Sequence, residues 1–324
     1  MTRFLLWVLV VLTGAWACAA LWFDGPPSRP LATALAAGFA AAAVAIAARA
    51  RPLRLALALY GLLFFGVVTW WLSIPPSNDR EWEPSVAHPA AARIEGDLVT
   101  IQNVRNFDYR TETDFTERWE TRSYDLSKLQ GMDMFLSYWG SPWIAHTIAS
   151  WEFEDGQHLA ISIETRKEVG ESYSAVRGFF RQFELYYVVA DERDVARLRT
   201  NYRGEDVYLY RLTTPAPVAR ALLLDYLHEI NELAERPRWY NALFYNCTTG
   251  IRRHTEHIAA QNPFNWRILV NGKLDELGYR RGTIDTSLPF PELRRVSNIG
   301  ERARAADQDP EFSQRTRDGL PGGR

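Results

Sequence analysis

Cys247 is the one thiol in this 324-residue chain that lies outside an apolar run, because the other cysteine, Cys18, falls within the first such run. Its surroundings read Tyr245-Asn246-Cys247-Thr248-Thr249-Gly250-Ile251-Arg252-Arg253. With Asn246 as the capping residue, Cys247 falls in the first turn of a helix. Unpaired backbone N–H groups and the positive end of the helix dipole gather there, and both favour thiolate. Arg252 and Arg253 add positive charge. The N–H groups around Asn246 and Thr248 are also candidates for holding a developing oxyanion. The plainer reading is a small buried hydrophobe, the commonest fate of a free cysteine.

A thiol nucleophile needs a base. The histidines are His88, His146, His158, His228, His254 and His257. His88 lies in a Pro-rich stretch, and His228 sits among Leu227, Glu229 and Ile230 on an apolar-periodic helix. His254 shares a helix with Cys247 but is seven residues on, about 10 Å along the axis. That is too far for a hydrogen bond, and Cys247, His254 and His257 do not converge as metal ligands. No metal or cofactor is expected. His146, in Ile144-Ala145-His146-Thr147-Ile148, and His158 remain, one on each strand of a hairpin turned by Glu154-Asp155-Gly156-Gln157. A polar ring in an apolar strand needs a partner, either structural or the thiol. A two-residue turn puts His146 and His158 on opposite faces of the sheet, and one extra residue puts them on the same face. Only in the second case can His158 orient His146. After the hairpin, Glu164, Arg166, Lys167 and Glu168 form a charged run whose ordinary role is a solvated strand end. Glu164 and Arg166 are candidates to reach a substrate head group.

These residues must be held by an outer domain on a membrane anchor. Phe4–Phe23, Leu31–Ala48 and Leu55–Ile74 carry no charge, and at about 18–20 residues each they have the length of a membrane-spanning helix. Leu21, Trp22 and Phe23 carry the first run past any signal-peptide cleavage site, so it is read as a retained helix. The short loop between the second and third runs holds Arg49, Arg51 and Arg54, and the loop between the first two holds only Arg29 beside Asp24. Basic loops stay inside, which puts everything after Ile74 on the outer, periplasmic side of the cytoplasmic membrane. The organisation expected is an anchor over 1–74, a linker over 75–92, an outer domain over 93–300 and a disordered, charged tail over 301–324. Net charge is -2 with no basic stripe, so nucleic acid is not an expected partner.

The order of a histidine strand before a cysteine helix resembles the bacterial membrane proteins that carry the Lnb N-terminal periplasmic domain. The matching stretches are Ala145-His146-Thr147, Ser162 through Glu168, Gly178-Phe179-Phe180-Arg181 and Asn246-Cys247-Thr248-Thr249. That family in turn is similar to circularly permuted NlpC-type papain-like enzymes. The resemblance implies an α+β fold: three transmembrane helices, then a permuted papain-like domain with an antiparallel sheet and a Cys-bearing helix. It implies Cys247 as nucleophile, His146 as base and, twelve residues after it, His158 as a third polar member. The implied chemistry is acyl transfer, or amide or ester cleavage, on a membrane lipid or lipoprotein through a thioester. A cell-wall peptide amidase and a non-catalytic envelope-binding domain are the rival readings.

Overall fold

The protein is described here from a computed structural model covering residues 3–244, 246–258, 267 and 271–322. The chain forms two compact units. The first comprises Met1–Ser77, Ser172–Glu184 and Trp239–Ala242. It holds α1 (Arg3–Phe23), α2 (Arg29–Arg49) and α3 (Leu53–Ser73), each 21 residues. At 1.5 Å per residue each is roughly 31 Å long, enough to cross a bilayer core. Apolar surface gives little drive for helices to associate in lipid, so small residues must let them approach. Ala17, Ala20, Ala43, Ala47 and Ala56 are fully or almost fully buried in their seams. Thr13 and Tyr60 share a 2.6 Å hydrogen bond between α1 and α3.

Polar and aromatic groups finish one end of this bundle. Trp71 Nε1 donates to Asp24 Oδ2 at 2.6 Å. Gln182 Nε2 donates to Phe23 O at 3.0 Å and to Asp24 Oδ1 at 2.7 Å. Trp239 Nε1 and the Arg181 guanidinium both donate to Ile74 O. Phe180 stacks on Phe23 with centroids 4.9 Å apart. Segments 172–184 and 239–242, far away in sequence, are thus built into the anchor.

The second unit comprises Asn78–Glu171, Leu185–Arg238 and Leu243–Arg324. Its strands in chain order are β1 (Ala91–Glu95), β2 (Leu98–Arg105), β3 (Asp108–Tyr109), β4 (Phe115–Thr116), β5 (Trp119–Asp125), β6 (Leu129–Tyr138), β7 (Ala145–Phe153), β8 (His158–Arg166), β9 (Glu184–Ala190) and β10 (Asp206–Arg211). Among the described residues one sheet runs β1-β2-β9-β8-β7-β6-β10, with β5 also paired to β2 and a separate β3-β4 ribbon. The β2–β9 pairing is parallel, so the sheet is mixed and not purely antiparallel as expected. The helices of this unit are α4 (Glu192–Arg197), α5 (Ala216–Glu235), α6 (Cys247–Ile258), α7 (Leu274–Arg281), α8 (Phe290–Ser297), α9 (Gly300–Ala305) and α10 (Phe312–Arg315).

Helices cover both faces of the sheet. On one, Phe135, Ile148, Val207 and Leu209 pack against Val195, Ala196, Ile299, Ala303 and Phe312 from α4, the residue before α9, α9 and α10. On the other, Trp151 donates its indole N–H to Ala219 O of α5 at 2.9 Å and meets Tyr226 edge-on. Seven buried residues of α5, from Ala219 to Leu233, recur at three- and four-residue spacing, which makes one helix face apolar.

Two stretches are more ordered than their composition suggests. Residues 78–92 are not a free linker: Glu83 N–H donates to Lys167 O, Val169 N–H donates to Glu81 O, and β1 starts at Ala91. Beyond Gly300 the chain is folded as α9 and α10 and delivers Arg317 to the interior. There Arg317 Nη2 lies 2.7 Å from both Asp133 Oδ2 and Glu192 Oε1, and both carboxylates are fully buried.

Candidate functional site

Asn246 starts α6 as the sequence predicts. Its Oδ1 accepts from the N–H groups of Thr248 and Thr249, each at 2.9 Å, and its own N–H donates to Thr249 Oγ1 at 2.9 Å. This reciprocal cap satisfies the second and third helical positions. It places the Cys247 backbone at the first position of a 12-residue helix; the Cys247 side chain lies outside the described residues. The cap also corrects one expectation. The Thr248 N–H is consumed by Asn246, and the Thr248 residue is buried at 4% exposure, so neither is open to an oxyanion.

The helix lies close on the sheet at Gly250. A Cβ there would come within 2.7 Å of Ile163 Cδ1, so the absent side chain is what permits the contact. One α6 turn further on, His254 is held on both ring nitrogens. Nδ1 lies 2.6 Å from Asp225 Oδ2 of α5, and Nε2 lies 2.8 Å from the Tyr187 hydroxyl of β9. Burial pushes the Tyr187 hydroxyl well above its ordinary range, so it keeps its proton and donates to Nε2. Nδ1–H then donates to Asp225. The ring also stacks on Tyr226, centroids 3.8 Å apart. Nothing in the residue types singled this trio out, since Asp225, Tyr187 and His254 come from three separated elements. They line a cavity of about 160 Å³ together with Ile163, Asn246 and Gly250.

His146 belongs to a different cluster. Its Nε2 is 2.6 Å from Ser162 Oγ and 3.5 Å from Glu164 Oε1. Ser162 Oγ donates to Glu164 Oε1 at 2.8 Å, so Nε2 carries the proton given to Ser162 and the acceptor role falls to Nδ1. Arg199 Nη2 sits 3.2 Å from Glu164 and Arg199 Nη1 3.0 Å from Glu205, which also accepts from Ser137 of β6. Burial acts to raise the Glu164 carboxyl, but the hydrogen bond and charge of His146, with Arg199 and Arg105, hold it well below the usual range. Glu164 is therefore an ionised orienting group for His146. That position is six residues beyond His158, where the resemblance put the third member: Ile148 pairs with Ser162, so His146 stands level with Glu164.

Side-chain alternation fixes which way His146 points. His146 shares its face of β7 with Ile148, which packs under α4 and α9. Ile163, which meets α6, and Trp151, which meets α5, lie on the other face. The imidazole and the packed side of the cysteine helix are thus on opposite faces of the sheet. His146 is the second residue of β7, at the end of the strand, so a thiol meeting it does so around the sheet rim.

His158 pairs with Glu152 across a three-residue turn in which Gly156 adopts φ +82°. The extra residue puts His158 on the same face as His146, as the bulged alternative required. The two are six β7 positions apart, however, about 20 Å at 3.3 Å per residue. His158 Nδ1 instead donates to Gly156 O at 3.1 Å, and its charge acts on Glu192. Arg166 is likewise structural. It is 1% exposed, donates to Val86 O, Ala87 O and Asn78 Oδ1, and lies over the Trp82 ring at 4.1 Å.

Residues 115–272, just under half of the chain, match the family model described as the Lnb N-terminal periplasmic domain. The match takes in both His146 and Cys247 and leaves the three apolar helices outside it. No curated protein and no solved structure matches the chain.

Proposed function

We propose that the outer domain is a membrane-anchored thiol enzyme that forms a thioester at Cys247. The observation that carries this reading is the reciprocal Asn246 cap, which stations a cysteine at the first position of a helix, where the dipole favours thiolate. His146 takes the thiol proton on Nδ1, while Ser162 and the ionised Glu164 hold the opposite nitrogen and stabilise the imidazolium. The thiolate adds to an ester or amide carbonyl, the leaving alcohol or amine departs with the proton, and the acyl group stays on sulfur. Water or an amine then attacks the thioester, gives its proton to His146 and releases the thiol.

The anchor supports a lipid or lipoprotein substrate, because it keeps the domain beside the bilayer on the periplasmic side. The cavity supports a second reading. Asp225, His228, Glu229, Glu232 and Arg253 make its lining polar. That fits a cell-wall peptide amide better than a fatty acyl group.

The test is iodoacetamide labelling of Cys247 against pH in full-length protein carrying Cys18→Ala. The expected thiol pKa lies below the free value of about 8.5 and rises in His146→Ala. A rise in His254→Ala alone refutes His146 as the base. An unshifted thiol in the parent protein refutes the enzyme and leaves a non-catalytic binding domain.

A further inference from the structure

We infer that Tyr173, Val176 and Phe179 enter the interfacial layer of the same bilayer that α1–α3 cross, making segment 172–184 a second, shallow membrane contact. The inference is independent of any chemistry at Cys247.

The segment belongs to the compact unit of the three helices. Its C-terminal half is fastened where α1 and α3 end, by Phe180 on Phe23, by Gln182 on Phe23 O and Asp24, and by Arg181, whose guanidinium lies 4.5 Å over the Trp71 ring. Those contacts set it at the depth where the hydrophobic spans stop. Its N-terminal half leaves large apolar groups uncovered there: Tyr173 is 49% exposed, Val176 57% and Phe179 45%. The one basic side chain among them is turned away, since Arg177 Nε and Nη2 donate to Gln182 Oε1 and its guanidinium lies 5.2 Å over the Phe183 ring. Trp22, Trp71 and Trp239 are in the same unit, and an aromatic set at a span's end is what an interface selects. The bilayer is the occupant that explains the uncovered residues, because the surface is continuous with one that lipid already covers. Ala242, whose N–H donates to Gly178 O at 2.7 Å, is five residues before Cys247 in the chain.

The test uses full-length protein in phosphatidylcholine–phosphatidylglycerol nanodiscs with Cys18→Ala and Cys247→Ser. Single nitroxide labels are placed through Val176→Cys, Phe179→Cys, Leu62→Cys as a mid-span reference, and Gln308→Cys as an exposed reference in the second unit. All four positions are exposed, so labelling does not disturb packing. Collision rates with oxygen and with a water-soluble nickel chelate are compared. The expected logarithm of the oxygen-to-nickel ratio is positive at 176 and 179, as at 62, and negative at 308. A negative value at 176 and 179 overturns the inference. Exclusion of both reagents also overturns it, since it identifies a protein and not lipid on this surface.

Discussion

Arg317→Met is the perturbation that most directly tests how the second unit is held together. It removes the guanidinium that bonds Asp133 through Nε and Nη2 at 2.9 and 2.7 Å and Glu192 through Nη1 and Nη2 at 2.8 and 2.7 Å. Methionine keeps most of the volume, so the loss is electrostatic. Burial pushes the Glu192 carboxyl up, yet the charges of Arg317 and His158 and the hydrogen bonds of Arg317 and Ser150 bring it down to about 2 from 4.5. At 1.36 kcal/mol per unit that net shift corresponds to about 3 kcal/mol. Removing one partner of a buried ion pair costs about 3–5 kcal/mol; here Glu192 loses its guanidinium, while Asp133 keeps Arg211 at 3.8 Å. A loss of about 3–5 kcal/mol is therefore expected, read by native-state hydrogen exchange of β6 and α4 amides in detergent micelles. The sign of the pH dependence adds a second test. A depressed carboxyl stabilises the native state above about pH 4.5 and loses that contribution as pH falls towards 2. Without Arg317, burial is opposed only by the His158 charge and the Ser150 hydrogen bond, so the Glu192 carboxyl moves up and the acid-side loss of stability shrinks. A loss under 1 kcal/mol with an unchanged slope from pH 5 to 3 would refute the argument.

Gly250→Ala should destabilise the domain by about 1–3 kcal/mol, because the new Cβ meets Ile163 Cδ1; Ile163→Val removes that atom and should return part of the loss in urea midpoint. Arg166→Met should make residues 78–87 protease-sensitive while leaving Cys247 alkylation unchanged; slowed alkylation would restore Arg166 to the site. A fluorescent reporter that matures only in the cytoplasm, fused after Arg324, should be dark, and a bright signal would reverse the topology read from Arg49, Arg51 and Arg54.

The parts of this fold legible in the sequence are those set by local pattern. Three uncharged runs became three helices within a few residues of their expected ends, because no other structure can hide 20 consecutive backbone polar groups in lipid. The β7–β8 hairpin and the Asn246 cap were equally local. What escaped the reading is non-local. The direction of His146 is encoded in a parity: Trp151 is an odd five positions on, so a ring that packs under α5 and a ring at 146 must point oppositely. The pattern was visible, but which face α6 covers was not. Arg166 and Arg317 looked like solvated charges because their acceptors, Val86 O and Asp133, lie 80 and 184 residues away. Residues 301–324 looked disordered for the same reason: their few apolar groups, Ala303, Ala306 and Phe312, form a core only against strands distant in sequence.

The position of Arg317 also bears on the order of events during biogenesis. Glu192 is fully buried in the finished domain, and the cation that neutralises it lies 125 residues later in the chain. Synthesis at about 5–20 residues per second separates the two by roughly 6–25 s. Throughout that interval the sheet cannot close over Glu192 without enclosing an uncompensated charge. The nascent domain therefore waits partly open, with the apolar faces of β6, β7 and β10 uncovered, until the C-terminal segment delivers its arginine.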